Sequence, residues 1–421
     1  MEKNIEVEGI AAAGSFAALG IAPYFIEALS GRGIFSPTPV QALVCPRLLA
    51  GESFFFSSAT GTGKTFAYLI PIFQRLLASA PCPAGSPRVF IAAPTYELCS
   101  QIKAEADFLL EPANAARRGP ENAGPLKAAL LIGGGNAGRQ IDGLRKEKPD
   151  IVIGNPGRIV QIARLGKLKP INLEYLVLDE GDRLVSPDLA EETGEFLRFV
   201  RAARPGAEKK RPLVAACSAT LSAKTGERIL GLLDMQGQDF PLLESHDKTV
   251  LGERIQHWAI FSERRKKIDT LRSFLAAAGP RKTLVFTAGA GEVGNILSRL
   301  QYHHIAAAAL FGGMDKAGRK QALNDFRKNR VAVLVSSDLA ARGLDIDGIS
   351  HIIALDVPQN GDAYIHRAGR TGRMGKAGIM LTIGDAEEMR ALAKLEKKLG
   401  IAIYPKELRG GKIAAPPTDM S

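Results

Sequence analysis

The chain has 421 residues, enough for two or three domains of roughly 150 residues each. Hydrophobic residues make up 46% and charged residues 24%, which excludes wholesale disorder. The formal charge of +11 is uneven: residues 1–245 hold 27 Lys+Arg against 26 Asp+Glu, whereas residues 246–421 hold 28 against 18. A basic second half suits a polyanion such as nucleic acid, and by itself equally suits a charged, soluble surface.

Short apolar runs recur along the first half at 53–56, 89–92, 128–132, 151–153, 175–178 and 213–216. They continue in the second half at 257–261, 283–286, 305–309, 331–335, 351–355 and 379–382, with helical stretches between most of them. The runs are apolar throughout rather than alternating, as expected for strands covered on both faces. Strands alternating with helices predict βαβ units and mostly parallel sheets. The expected fold is therefore α/β, with domains at 1–245 and 253–404. The polar, aperiodic stretch SHDKTVLGE supplies a linker at 246–252, and 405–421 reads as a short tail. Segments 111–125 and 203–212, rich in Pro, Gly and charge, are predicted loops. No repeat of fixed period is evident.

Four cysteines form no CxxC pair, which argues against a metal or disulfide framework and for a reducing cytosol. No apolar run approaches the ~20 residues of a bilayer span. The acidic start MEKNIEVEGI does not read as a signal peptide, so a cytoplasmic location without membrane contact is expected.

Two strings carry phosphate chemistry. SSATGTGKT, residues 57–65, lies between an apolar strand and a helix. Gly61 and Gly63 let the backbone turn and aim N–H groups at phosphate oxygens, and the helix N-terminus adds a favourable dipole. Lys64 is placed for the β- and γ-phosphates and Thr65 for Mg²⁺. Ser58 stands where the strict phosphate-loop pattern has its first glycine. The second string, LVLDEGD, puts Asp179 at the end of a strand, where phosphate-loop NTPases hold Mg²⁺, with Glu180 beside it as general base.

From Phe16 to about Gly375 the sequence resembles the DEAD-box family of ATP-dependent RNA helicases, superfamily 2. The motifs are PTPVQ ending at Gln41, the phosphate loop, PTYEL from Pro94, NPGR from Asn155, DEGD, Ser218-Ala219-Thr220, SDLAARGLD and YIHRAGRTGR. The resemblance implies two RecA-like domains, ATP with Mg²⁺ as cofactors, and RNA as partner. It implies that Gln41 reads the adenine edge, that Phe16 packs on the base, and that Gly61, Thr62, Gly63, Lys64 and Thr65 cradle the phosphates. Asp345 would bind the ribose. By the same resemblance Asp182 would join the catalytic set, His366 would relay to the acidic box, and Arg370 and Arg373 would act as arginine fingers. Pro94, Thr95, Gly134, Pro156, Gly157, Arg158, Arg319 and Ser337 would meet the RNA backbone, and Ser218 with Thr220 would couple hydrolysis to strand separation.

In this family ATP and single-stranded RNA bind together as the domains close, with little sequence preference and with the 2′-OH favouring RNA. A monomer is expected, with ribosomal or RNA-decay proteins as candidate partners. The chain departs from the family pattern at Gly181 (usually Ala), Tyr96 (usually Arg), Asn155 (usually Thr), and at Phe311 and Lys316 (usually His and Gln). These departures leave a slowly turning RNA clamp as the alternative. A DNA helicase on the same framework and a small-molecule kinase fit the motifs less well.

Overall fold

The computed structural model describes residues 14–59, 61–79, 86–116, 124–202, 211–237, 240–245, 254–279, 281–341, 346, 348–358, 360–372 and 376–416. The chain divides into two compact units, Met1–Asp247 and Lys248–Ser421. The expected linker 246–252 and the segment 203–210 lie outside the described residues.

The first unit contains β1 (Phe54–Ser57), β2 (Val89–Ala92), β3 (Ala128–Leu131), β4 (Ile151–Gly154), β5 (Tyr175–Asp179), β6 (Leu213–Ser218) and β7 (Leu242–Glu244). They form one sheet in the order β3-β4-β2-β5-β6-β1-β7, and every pairing is parallel. The second unit contains β8 (Ile255–Phe261), β9 (Thr283–Thr287), β10 (Ala307–Leu310), β11 (Val333–Ser337), β12 (His351–Ala354), β13 (Gly378–Gly384) and β14 (Ile403–Pro405). Its order, β10-β11-β9-β12-β13-β8-β14, is the same as the first unit's when strands are counted within each unit, and again all are parallel. The internal repeat is thus a whole domain.

Alternation along each strand divides the core into two layers. Phe54 and Phe56 face one layer with Val89, Ile91, Ile151, Ile153 and Val177. Phe55 faces the other with Phe90, Val152, Leu176 and Leu178. Burying each such side chain contributes about 1.5–3 kcal/mol, so an FFF run is best satisfied as an interior strand with helices on both faces. In the second unit Leu284 and Phe286 join one layer and Val285 the other.

Two expectations require correction. The predicted loop 111–125 is helical at its start, because the helix Tyr96–Ala116 continues through Pro112. Its inward positions Leu109, Leu110 and Ala113 are buried, and that packing outweighs the proline's breaking tendency. The predicted tail folds as well: β15 (Glu407–Arg409) and β16 (Lys412–Ala414) form an antiparallel hairpin. Its turn is Gly410-Gly411, with φ of 54° and 73°, the left-handed pair that a two-residue hairpin needs. Leu408 and Ile413, paired across the hairpin, pack onto a core layer of the second unit.

Candidate active site

In the first unit the chemistry-bearing residues gather where β1, β5 and β6 end, the usual binding edge of a parallel α/β sheet. The loop after β1 takes left-handed turns at Gly61 (φ 80°) and Gly63 (φ 88°), and the helix Lys64–Ala78 follows directly. Ser58, in place of a glycine, shares a 2.7 Å hydroxyl contact with Thr62, and Thr62 also donates to the Ala59 carbonyl at 2.8 Å. Lys64 Nζ donates to the carbonyls of Ser58 (2.7 Å) and Ala59 (2.8 Å). Burial lowers the Lys64 pKa against the opposing pull of Cys217, Asp179, Glu180 and Asp182.

The helix Pro39–Ala50 opens with a capping box. The Thr38 N–H donates to Gln41 Oε1 at 3.0 Å, and the Gln41 N–H donates to Thr38 Oγ1 at 3.4 Å. Gln41 Nε2 then donates to the Gly63 carbonyl at 3.2 Å. A Cβ on Gly63 would stand 2.5 Å from that nitrogen, so glycine is needed there for approach as well as for φ. Gln41 therefore clamps the phosphate loop, and one amide hydrogen and one oxygen lone pair of its side chain are left by these bonds.

At the end of β5, Asp179 is 4% exposed and heavily engaged. Its Oδ2 accepts from the Tyr68 hydroxyl at 2.9 Å, and its Oδ1 accepts from Cys217 Sγ at 3.3 Å and the Glu180 N–H at 2.9 Å. Glu180 holds left-handed backbone angles (φ 51°, ψ 52°), a conformation that costs a non-glycine of order 1–3 kcal/mol and clusters at functional sites. Asp182 Oδ2 accepts from the Thr220 hydroxyl at 2.6 Å. The 218–220 segment is bonded to the phosphate loop as well: the Ser58 N–H donates to the Ser218 carbonyl at 3.1 Å and Ser57 Oγ to the Ala219 carbonyl at 3.2 Å. Phosphate loop, acidic box and Ser-Ala-Thr segment thus form one bonded network.

The hydroxyl of Thr65 and the carboxylate of Asp179 are hard oxygen donors of the type Mg²⁺ takes. Among the described residues no group of three or more His, Cys, Asp or Glu could hold a metal by itself. A Mg²⁺ at these residues would take its other ligands from phosphate and water, as is usual for that ion.

A second cluster lies at the ends of β2, β3 and β4. Thr95 Oγ1 accepts from the Leu98 N–H at 3.2 Å, opening the helix Tyr96–Ala116. Asn155 is the N-cap residue of the helix Pro156–Arg164, but its side chain makes no capping bond. Its Nδ2 donates instead to the Ala93 carbonyl at 2.9 Å and reaches Cys99 Sγ at 3.6 Å. Arg158 Nη2 donates to the Gly135 carbonyl at 2.8 Å, beside the left-handed Gly134. These bonds bring the three segments 93–99, 133–135 and 155–158 together, with two helix N-termini suited to phosphate.

In the second unit Arg367 is 2% exposed. Its Nε and Nη2 each donate to Asp338 at 2.6 Å, and Nη1 donates to Asp356 Oδ1 at 2.7 Å. Burial works against the charge, but the two carboxylates more than offset it and raise the Arg367 pKa. Arg319 Nη2 donates to the Ala340 carbonyl at 2.8 Å, tying its helix to the residues after β11. Ser337 and Arg370 are buried, and His366 is half-buried.

The DEAD/DEAH box helicase family matches residues 38–229, and the helicase conserved C-terminal domain matches residues 266–375. The chain belongs to the DEAD/DEAH box helicase family. It is 32% identical over 389 residues to the DEAD-box ATP-dependent RNA helicase CshC of Bacillus cereus, covering 92% of both chains. It is 31% identical to the ATP-dependent RNA helicase RhlB of Aliivibrio fischeri, covering 91% of this chain and 84% of that protein. Among solved structures, S. cerevisiae Dbp5 bound to RNA and ADP BeF3 aligns with a TM-score of 0.76 at 22% identity, over 93% of this chain and 96% of that one, a likeness of fold.

Within this DEAD-box chain the site residues read from sequence fall into three groups, one of them Arg319, Ser337, His366 and Arg370 in the second unit. Gln41, Gly61, Thr62, Gly63, Lys64, Thr65, Asp179, Glu180, Asp182, Ser218 and Thr220 share the edge formed by β1, β5 and β6. Pro94, Thr95, Gly134, Pro156, Gly157 and Arg158 share the other cluster. Asp345 and Arg373 lie outside the described residues, as does the side chain of Lys316. Phe16 needs correction: its ring is 1% exposed within the core of the first unit, so it cannot cover a base. Phe35, six residues ahead of Gln41 in the sequence, is an exposed aromatic at 75%. Sequence reasoning also missed Tyr68, Cys217 and Arg367, whose roles depend on partners distant along the chain.

Proposed function

We infer that this protein is an ATP-dependent RNA helicase that hydrolyses ATP to ADP and phosphate while binding and locally unwinding short RNA duplexes or remodelling RNA–protein complexes. The observation that carries the reading is the bonded network from the phosphate loop through Ser218–Thr220 to Asp182. In it, a change at the nucleotide phosphates is transmitted within two hydrogen bonds to the residues after β6. Lys64 neutralises the β- and γ-phosphates, Thr65 and Asp179 hold Mg²⁺, and Glu180 accepts the proton of the attacking water. Mg²⁺ supplies charge neutralisation at the phosphates. Arg370 and Arg373 serve as arginine fingers, a contribution on the order of 10³–10⁵ in rate in related NTPases, and Asp345 binds the ribose. His366 relays to the acidic box.

Gln41 selects adenine with its remaining amide hydrogen and lone pair, and Phe35 covers the base. The cluster at β2–β4, with Arg319 and Ser337, holds RNA phosphates and riboses without reading bases. We propose a cytoplasmic monomer whose protein partners belong to ribosome assembly or RNA decay. The test is ATP-dependent separation of a short fluorescent RNA duplex: separation supports the reading, and ATP binding without strand separation or turnover favours an RNA clamp.

A further inference from the structure

The sheet of the second unit has two edges, and Ser337 marks the one where its strands end. The opposite edge is built by the loops that enter β8 to β13, and these are bonded to one another across the sheet. The Ala332 N–H donates to the Ala306 carbonyl at 3.1 Å, and the Thr283 N–H to the Ala332 carbonyl at 2.9 Å. The Ser350 N–H donates to the Lys282 carbonyl and the Ile379 N–H to the Ser350 carbonyl, both at 3.0 Å, and the Gly378 N–H to the Arg254 carbonyl at 2.8 Å. These bonds follow the strand order β10-β11-β9-β12-β13-β8, so the entry loops form one surface roughly 24 Å wide at the ordinary strand spacing.

That surface is basic. Arg254, Arg281, Lys328, Arg330 and Lys376 stand exposed on it, and Arg327 joins them from the end of the helix Lys316–Arg327. Lys282 Nζ donates to the Arg327 carbonyl at 3.4 Å and lies 5.5 Å from the Phe326 ring, which fixes two of the loops together. Among the described residues these loops hold no Asp or Glu; Asp325, in the preceding helix, pairs with Arg330 at 2.9 Å. Among the described residues Arg254, Arg281, Lys328 and Lys376 form no ion pair. The matching edge of the first unit is mixed, with Glu52, Asp150 and Glu174 among Lys127, Lys148 and Lys167. Part of the basic surplus of residues 246–421 is thus gathered on one edge of one sheet.

We propose that this edge is a second RNA-binding surface, which grips the phosphates of RNA lying outside the segment held by Arg319 and Ser337. The inference rests on the RNA-helicase reading above and adds a site that reading does not use. A row of unpaired cations facing solvent recruits a polyanion by releasing its counterions, without reading bases. A protein partner fits less well, because interface cores are apolar. Among the described residues Tyr302, 80% exposed, is the one large apolar side chain exposed on this edge. Its ring meets His303 edge to face at 5.1 Å and is open to an unpaired base. RNA held at this edge stays at high effective concentration for the other, so a long substrate is retained when the active site releases it.

The experiment uses the full chain and a triple variant, Arg281→Gln with Lys328→Gln and Lys376→Gln, which changes exposed side chains only. Fluorescence anisotropy follows single-stranded RNAs of about 10 and about 40 nucleotides, the shorter matching one ordinary binding site. For the longer RNA, the slope of log affinity against log salt should become shallower by about 2 in the variant, at roughly 0.7 per phosphate contact removed. The shorter RNA, with a non-hydrolysable ATP analogue, should bind variant and parent alike, and the thermal unfolding midpoint should stay at the parent's level. Equal affinity and slope for the longer RNA overturn the proposal. An equal loss with both RNAs overturns it too, since that marks damage to the active site or the fold. Failure of the RNA-helicase reading looks different: the parent itself would then bind neither RNA, with or without the analogue.

Discussion

Replacing Arg367 with alanine should destabilise the second unit rather than act on the chemistry directly. The guanidinium makes a two-pronged bond to Asp338 and a further bond to Asp356, whose carbonyl it also meets at 3.1 Å. It also lies over the Phe286 ring at 5.2 Å. Removing it leaves two carboxylates without their counter-charge, and Asp356 Oδ2 has no hydrogen-bond partner even in the intact protein. Breaking a buried pair on one side costs about 3–5 kcal/mol. The Asp338 side chain is 34% exposed and can recruit water, so the lower end, about 3 kcal/mol, applies.

The chain holds a single tryptophan, Trp258, on β8 of the second unit, so intrinsic fluorescence reports that unit. In urea the Trp258 transition should move to lower denaturant by roughly 1–2 M. Arg367→Lys should recover little of this, because an ammonium cannot span both carboxylates as a planar fork does. An unchanged transition together with lost ATP hydrolysis would refute the argument and move Arg367 into the nucleotide or RNA contacts.

Gly181→Ala should leave ATP hydrolysis intact. A Cβ there would meet Leu221 Cδ1 at 3.3 Å and nothing else closer than 3.7 Å. The backbone is not left-handed at Gly181, so the gain of about 0.4–1 kcal/mol from a stiffer unfolded chain offsets that mild crowding. A large change in hydrolysis rate would show that the looser turn tunes this enzyme. Phe35→Ala should remove about 0.5–1.5 kcal/mol of stacking, or roughly two- to tenfold in ATP affinity measured by calorimetry. Equal affinity would return the base to other side chains.

Stability of the second unit should fall as pH drops below 6.5. Burial, aided by Arg281, lowers the His351 pKa from 6.5, so the unfolded chain takes up the proton first. The slope from this group stays within about 1.4 kcal/mol per pH unit. Urea midpoints of His351→Gln should be less pH-dependent than the parent's, and parallel profiles would contradict the assignment.

The interior strands were readable because a strand covered on both faces must be apolar at every position, as at Val89–Ala92 and Ile151–Gly154. The edge strands β7 and β14 were not, since three residues with one open side leave no such pattern. The hairpin at Gly410-Gly411 was hidden because Arg-Gly-Gly reads equally as a flexible tail. Local geometry announced the phosphate loop, for its glycines and lysine act within a few residues of one another. Phe16 and Phe35 look alike in sequence, and only packing separates a core ring from an exposed one. Tyr68 is separated from Asp179 by 111 positions, so no spacing rule could pair them.

The central claim is that ATP hydrolysis at Lys64, Asp179 and Glu180 is coupled to RNA. The most direct measurement is steady-state ATP hydrolysis with and without single-stranded RNA, for the parent and for Lys64→Ala. RNA should stimulate hydrolysis strongly in the parent and not at all in the variant. Hydrolysis indifferent to RNA, or surviving in Lys64→Ala, would contradict it.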